Sequence, residues 1–225
     1  MASPVIALPS LVTGERMDRE EFLRRWELMP DLKRAELIDG VVYVPSPLSL
    51  DHGRRDVRAI FLLAYYQDST LGCQCASNTT WFMLDSSPQP DVFLRILPEY
   101  GGQSAIEGKY PSGAPELAIE VCVTSTEVDF GPKLALYQRA GVCEYVTFET
   151  LHRRIIWRVL EQGSYVKLNP GSDGVYRSQV FPGLWLDPTA FWADDGPKLR
   201  AVLDQGLAAP EHAAFMESLQ ARHQS

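Results

Sequence analysis

The chain has 225 residues, 45% of them hydrophobic and 22% charged. That is the composition of a soluble globular domain, and it excludes disordered, collagen-like and coiled-coil classes. With 21 basic and 29 acidic residues the formal net charge is −8, which argues against a non-specific nucleic-acid coat but leaves room for a local basic face.

Residues 1–16 show little periodicity and read as a loose arm. Asp18 followed by Glu21 has capping-box spacing, so a helix opens there and is stopped by Pro30. Glu36, Leu37 and Ile38 run into Asp39-Gly40, the signal for a two-residue hairpin, and residues 41–44 return. A helix is expected over 52–67, with Val57, Ile60, Phe61 and Ala64 on one face and Arg54, Arg55 and Arg58 in its first turns. Strands follow near 71–76, 80–84 and 91–97. The Gly- and Pro-rich stretch 98–114 reads as a loop. Residues 116–124 form a strand, 130–140 a helix capped by Gly141, and 143–149 another strand. Residues 153–160 and 164–168 pair as a hairpin, 176–181 gives a last short strand, and 197–221 is helical with a break near Pro210. The alternation predicts an α/β domain built on a mixed central β-sheet flanked by helices.

No apolar run approaches the roughly 20 residues that span a bilayer. Residues 5–8 lack a basic segment before them, so a signal peptide is not expected. Cys73, Cys75, Cys122 and Cys143 show no CxxC spacing, so neither a zinc site nor a disulfide framework is expected. The natural reading is a reduced, cytoplasmic protein with no membrane partner.

Three residues carry candidate chemistry. In the strand at 117–123, Leu117, Ile119, Val121 and Val123 share one face, and Glu120 sits on the other between Ala118 and Cys122. An ionised glutamate there costs several kcal/mol unless it is paired or binds a cation. Taken alone, Glu120 also fits a strand-edge acid pointing at water, or one held by an arginine. Asp91 opens a neighbouring strand after Pro90, and two such carboxylates make a site for a hard divalent cation. Lys133 lies on the helix after the Glu120 strand, where its amine can stabilise charge developing on a phosphate. Glu36, before the Asp39-Gly40 turn, is a fourth candidate; alone it reads as an exposed hairpin acid. His52 reads either as a residue near the site or as a structural histidine.

The ordered set resembles the PD-(D/E)xK nuclease superfamily and, more narrowly, the Uma2 family of restriction endonucleases. It consists of Glu36-Leu-Ile-Asp-Gly40, Ser46-Pro47 with His52, Pro90-Asp91-Val92, Pro115-Glu-Leu-Ala-Ile-Glu120-Val121, Ser125-Thr126, Asp129 with Lys133-Leu-Ala-Leu-Tyr137, Gly141-Val142-Cys-Glu144-Tyr145 and Phe181-Pro182-Gly183-Leu184. The resemblance covers residues 17–192 and leaves 193–225 as a helical tail. It implies a restriction-endonuclease-like fold, with Asp91 and Glu120 as ligands of Mg²⁺ or Mn²⁺ and the backbone carbonyl of Val121 as a further ligand. The superfamily lysine normally follows its acid by two positions. Cys122 stands there, and Lys133 fits a lysine moved to the next helix. Glu36 matches an N-terminal acid. The chain departs from the family in Val-Cys-Val-Thr at 121–124 and in Glu149, where aspartate is usual.

The expectation is a metal-dependent endonuclease hydrolysing phosphodiester bonds in DNA, working as a homodimer. The alternative is a catalytically inactive module of the same fold that binds nucleic acid or protein, with Arg54, Arg55, Arg58, Arg153 and Arg154 as its basic rim. A small-molecule hydrolase has no supporting cofactor motif.

Overall fold

The computed structural model describes residues 10–123 and 126–224. Expectations for residues 1–9 and for Ser125 lie outside them. Residues 10–16, expected as the rest of a loose arm, are tied down. Leu11 is buried, Gly14 N–H donates to Val42 O, and Val42 N–H donates to Glu15 O.

Helix α1 (Arg19–Glu27) begins at Asp18, whose carboxylate accepts the Glu21 N–H at 2.9 Å. The Glu21 side chain does not complete a capping box, because Arg24 and Arg25 hold it. Strands β1 (Glu36–Ile38) and β2 (Val41–Tyr43) pair around Asp39 and Gly40, both at positive φ, as a primed turn requires. Helix α2 (Leu50–Asp68) buries His52, Arg55, Ala59, Leu62, Leu63 and Tyr66. This corrects the expected face: Val57 is 63% exposed. Two of the residues that decide the orientation are a histidine and an arginine, which hydropathy does not count.

Strand β3 (Cys73–Ser77) is followed by isolated bridges at Phe82 and Met83 instead of the expected strand near 80–84. After β4 (Val92–Ile96), the expected loop holds a small hairpin, β5 (Ala105–Glu107) with β6 (Tyr110–Ser112). Then come β7 (Leu117–Cys122), the short α3 (Thr126–Asp129), α4 (Pro132–Ala140), β8 (Glu144–Glu149), β9 (Arg154–Glu161) and β10 (Ser164–Leu168). Gly131 separates α3 from α4; a Cβ there would lie 2.6 Å from Glu127 O. The predicted strand over 176–181 is only β11 (Tyr176–Arg177), paired with β12 (Trp185–Leu186). Helices α5 (Pro188–Trp192), α6 (Gly196–Leu207) and α7 (Pro210–His223) close the chain.

Six strands form the central sheet in the order β10-β9-β8-β7-β4-β3. Only β7 and β8 are parallel, with α4 as their crossover. One face packs against α2 and the C-terminal helices through Leu62, Leu63, Ile119, Phe148, Phe191, Leu199, Leu203 and Leu219. The other packs against α4 and the first hairpin through Ile38, Phe93, Ala118, Leu136, Tyr137 and Tyr145. Covered on both sides, β7 and β8 are buried along their whole length. The expected C-terminal tail therefore contributes to the main core. Among the described residues, no helix is long and apolar enough to cross a membrane.

Asp194 locks α2 to the C-terminal helices. Its carboxylate accepts from Arg55 Nη2 at 3.0 Å and from Arg54, and its carbonyl accepts from Arg58. Arg55 is buried and also donates to Phe191 O at 2.7 Å. Burial works to raise the pKa of Asp194, but the Arg55 hydrogen bond and the three arginine charges outweigh it and lower it. Asp194→Asn should cost about 3 kcal/mol in urea denaturation at pH 7, since it strands a buried arginine. Because the folded pKa is depressed, the difference from wild type should be full above pH about 4 and shrink as pH falls through the folded value. Arg54→Ala, at an exposed partner, should cost under about 1 kcal/mol.

Candidate active site

Strand register brings the two acids together. Val92 lies opposite Ile119 and Phe93 opposite Ala118 in the antiparallel β4–β7 pair. One residue further, Asp91 faces Glu120. Both fall on the side of Phe93 and Ala118, under α4. Asp91 Oδ2 accepts the Val121 N–H at 2.8 Å, which fixes the carboxylate against β7.

Helix α4 brings the amine. Lys133 is in its first turn, where Nζ stands 2.9 Å from Glu120 Oε1, 2.9 Å from Glu36 Oε1 and 3.8 Å from Asp129 Oδ1. Four residues on, and so on the same helical face, the Tyr137 hydroxyl donates to Glu120 Oε1 at 2.8 Å. Glu36 reaches in from β1 and also accepts the Gln89 N–H at 2.6 Å. All four predicted side chains thus meet, and with Val121 they line one cavity of about 390 Å³.

Two further side chains join this cluster: Arg34, which the sequence did not single out, and His52, which it left as either near the site or structural. Arg34 Nη2 donates to Asp91 Oδ1 at 2.8 Å, and His52 Nε2 lies 3.5 Å from Asp91 Oδ2. No pattern marks Arg34. His52 carried a signal only through its capped helix start. Asp129 and Tyr137 could have been found from their i−4 and i+4 spacing to Lys133. Ser125 lies outside the described residues.

The cluster is deeply placed: Asp91 is 4% exposed, Glu120 2% and Lys133 4%. Four carboxylates, on Glu36, Asp91, Glu120 and Asp129, surround two permanent cations, on Arg34 and Lys133. Burial would raise Asp91, but the His52 hydrogen bond, the charges of Lys133 and His52, and the Val121 N–H hold it below the usual carboxylate range. Glu120 goes the other way. Burial pushes it well up, and the charges of Asp91, Asp129 and Glu36 add to that against the pull of Lys133. Glu36 is raised by burial as well. Burial alone would lower Lys133, yet the surrounding carboxylates raise it, so it stays charged. One turn on from His52, Asp56 is pushed up to about 6, first by burial and then by the charge of Asp91.

Counted as formal charges, the four carboxylates exceed the Arg34 and Lys133 cations by two in a nearly dry site. One divalent cation offsets that surplus. Among the described residues no three His, Cys, Asp or Glu side chains form a metal-ligand cluster. The donors that are present, Asp91, Glu120 and the Val121 carbonyl, are all hard oxygens. They suit an ion such as Mg²⁺ that binds through one or two carboxylates and keeps several waters.

The mixed sheet with this acid pair and crossover-helix lysine has the restriction-endonuclease-like fold. Residues 19–189 match the model of the family Uma2, described as "Putative restriction endonuclease", and the chain belongs to that family. It is similar to a solved structure from Anabaena variabilis described as "a putative nuclease belonging to DUF820". The TM-score is 0.61 at 15% identity, over 79% of this chain and 98% of that one. At that identity the likeness is one of fold. No curated protein matches the chain.

The crowding has a measurable consequence in protein kept free of divalent cations. Glu120→Gln should raise stability by about 1 kcal/mol, because it removes one of four crowded carboxylates. Lys133→Met should lower it by about 3 kcal/mol, because it leaves Glu36 and Glu120 without their shared cation. Denaturation of both variants in chelator checks the two signs.

Proposed function

We propose that the protein is a metal-dependent nuclease that hydrolyses phosphodiester bonds in DNA. The observation that carries this reading is the register that sets Asp91 opposite Glu120, with Lys133 over both in one cavity. Asp91, Glu120 and the Val121 carbonyl would hold Mg²⁺ or Mn²⁺. When bound, the cation would draw charge from the scissile phosphate and acidify an attacking water.

The chain's own residues would supply the rest. Lys133 keeps its proton among the carboxylates and offers positive charge to the phosphate as negative charge grows in the transition state. Glu36 and Tyr137 orient that lysine and Glu120 respectively. Arg34 is only partly covered and points its guanidinium at Asp91; it keeps that carboxylate ionised and attracts an anionic substrate. His52 holds the far side of Asp91.

One observation favours a second reading. Both Asp91 oxygens accept hydrogen bonds from protein groups, and Lys133 is already paired. A non-catalytic module of this fold would look the same. Cleavage assays separate the two. With Mn²⁺ the wild type should cut DNA, while Glu120→Ala or Asp91→Ala should lose about 10³-fold and Lys133→Ala about 10²-fold or more. Calorimetry should show Mn²⁺ uptake that Glu120→Ala weakens. Equal residual cleavage by wild type and Glu120→Ala, with no Mn²⁺ uptake, would establish the non-catalytic reading.

A further inference from the structure

We propose that the substrate is a single, unpaired DNA strand, and that it leaves the cavity across Val123 into a groove that becomes basic at Arg153, Arg154 and Lys167. The proposal rests on the nuclease reading and names the form of its substrate and the surface that holds it.

Depth argues for the single strand. Asp91 and Glu120 are almost wholly buried on the floor of a cavity of about 390 Å³. That volume is at the small end of pockets for small molecules, about 300–1,000 Å³. A duplex carries its phosphates on a wide, stiff rod, which a narrow recess accepts less readily than a flexible strand. An unpaired strand can present one nucleotide at a time.

Continuity argues for the path. Val123 lines the catalytic cavity and also a second hollow of about 620 Å³, beside Arg54, Thr150 and Arg153. Arg153 and Trp192 then line a third hollow of about 400 Å³, beside Arg154 and Lys167. The three spaces share wall residues in sequence, which sets the order of the proposed path.

Charge and chemistry argue for nucleic acid. The protein as a whole is at −8, and the middle hollow also holds Asp51 and Asp194, yet cations gather at the outer end of the track, where Arg153, Arg154 and Lys167 line the third hollow. Arg54, Arg55 and Arg58 are committed to the Asp194 lock, and Arg154 is paired with Glu149. Arg153 and Lys167 are exposed, and among the described residues neither has an ion-pair partner. Arg153 also holds a left-handed backbone, φ 48°, at a turn position that glycine or asparagine would occupy with less strain. Half-buried Trp192, with Arg55 over its ring, lines both outer hollows and is the aromatic group an unstacked base would meet there.

The test is fluorescence anisotropy on the full chain in chelator, where nothing is cut, with a labelled single-stranded oligonucleotide and with its duplex. The single strand should bind at least about 10-fold more tightly. Combined Arg153→Glu, Arg154→Glu and Lys167→Glu should weaken it a further 10-fold or more. The same combination should flatten the slope of log affinity against log salt by about 2, since each phosphate contact on a single strand contributes about 0.7. A matched reversal elsewhere, Lys109→Glu with Arg139→Glu and Arg200→Glu, should change much less and so controls for net charge. Thermal melting checks that each variant folds, and Arg153→Gln alone gives a milder second probe. Equal affinity for strand and duplex, no binding by wild type, or the same loss in both charge-reversed variants would overturn the proposal. The nuclease reading is tested separately, by Mn²⁺-dependent cleavage and its loss in Glu120→Ala. Cleavage without a groove effect rejects the path alone, and a groove effect without cleavage rejects the nuclease alone.

Discussion

Two carboxylates placed opposite each other on adjacent buried strands are the constraint around which this molecule is built. Asp91 and Glu120 meet because β4 and β7 pair in one register, and a shift by one residue would turn one of them into the opposite core. Having met, they need positive charge close by. That requirement positions much of the surrounding chain. Helix α4 must start with Lys133 over the pair, so the preceding turn is tight and Gly131 is the residue that fits it. The first hairpin must lie against the same face, because Glu36 shares that lysine. The segment before the hairpin must place Arg34 on Asp91.

How much of this was legible in the sequence depends on what each residue's signal was. Glu120 stood out because a period-two apolar strand makes a charged member conspicuous. Asp91, Lys133 and Glu36 gained meaning from their order along the chain and from the resemblance that order carries. Arg34 had no such context: it stands in an irregular segment, and only the tertiary fold turns it toward Asp91. The α2 face was misjudged for a related reason. Its inward residues include His52 and Arg55, whose burial is set by Asp91 and Asp194, partners 39 and 139 positions away. Hydropathy periodicity cannot register a polar residue that is buried because its partner is. The small hairpin of β5 and β6 was hidden by glycines and prolines that read as loop. The strand over 176–181 was cut short because Phe181 N–H turns back to the Ser178 hydroxyl.

The C-terminal third shows the same dependence of local structure on distant charge. Three arginines on α2 looked from sequence like a basic rim. In the fold, Arg55 and Arg58 point at Asp194 and pin α5 and α6 to the sheet. The helices beyond the family match then fill the core with Leu199, Leu203 and Leu219. They are structural parts of the domain. Arginines spent on this lock are not available to a ligand, which moves the accessible positive charge to the β8–β9 turn and β10.

That redistribution reconciles an acidic protein with an anionic substrate. A net charge of −8 repels a polyanion at long range, so uniform attraction over the surface is excluded as a binding strategy. Within a Debye length of about 8 Å at physiological salt, however, only neighbouring charges count. On the proposed path a strand would lie against Arg153 and Lys167, cations unpaired among the described residues, and feel little of the acidic remainder. At the cavity floor the balance reverses, since the carboxylates outnumber Arg34 and Lys133. The carboxylates crowded around Glu120 and Glu36 and the cations Arg153 and Lys167 thus give the two ends of the proposed path opposite surroundings.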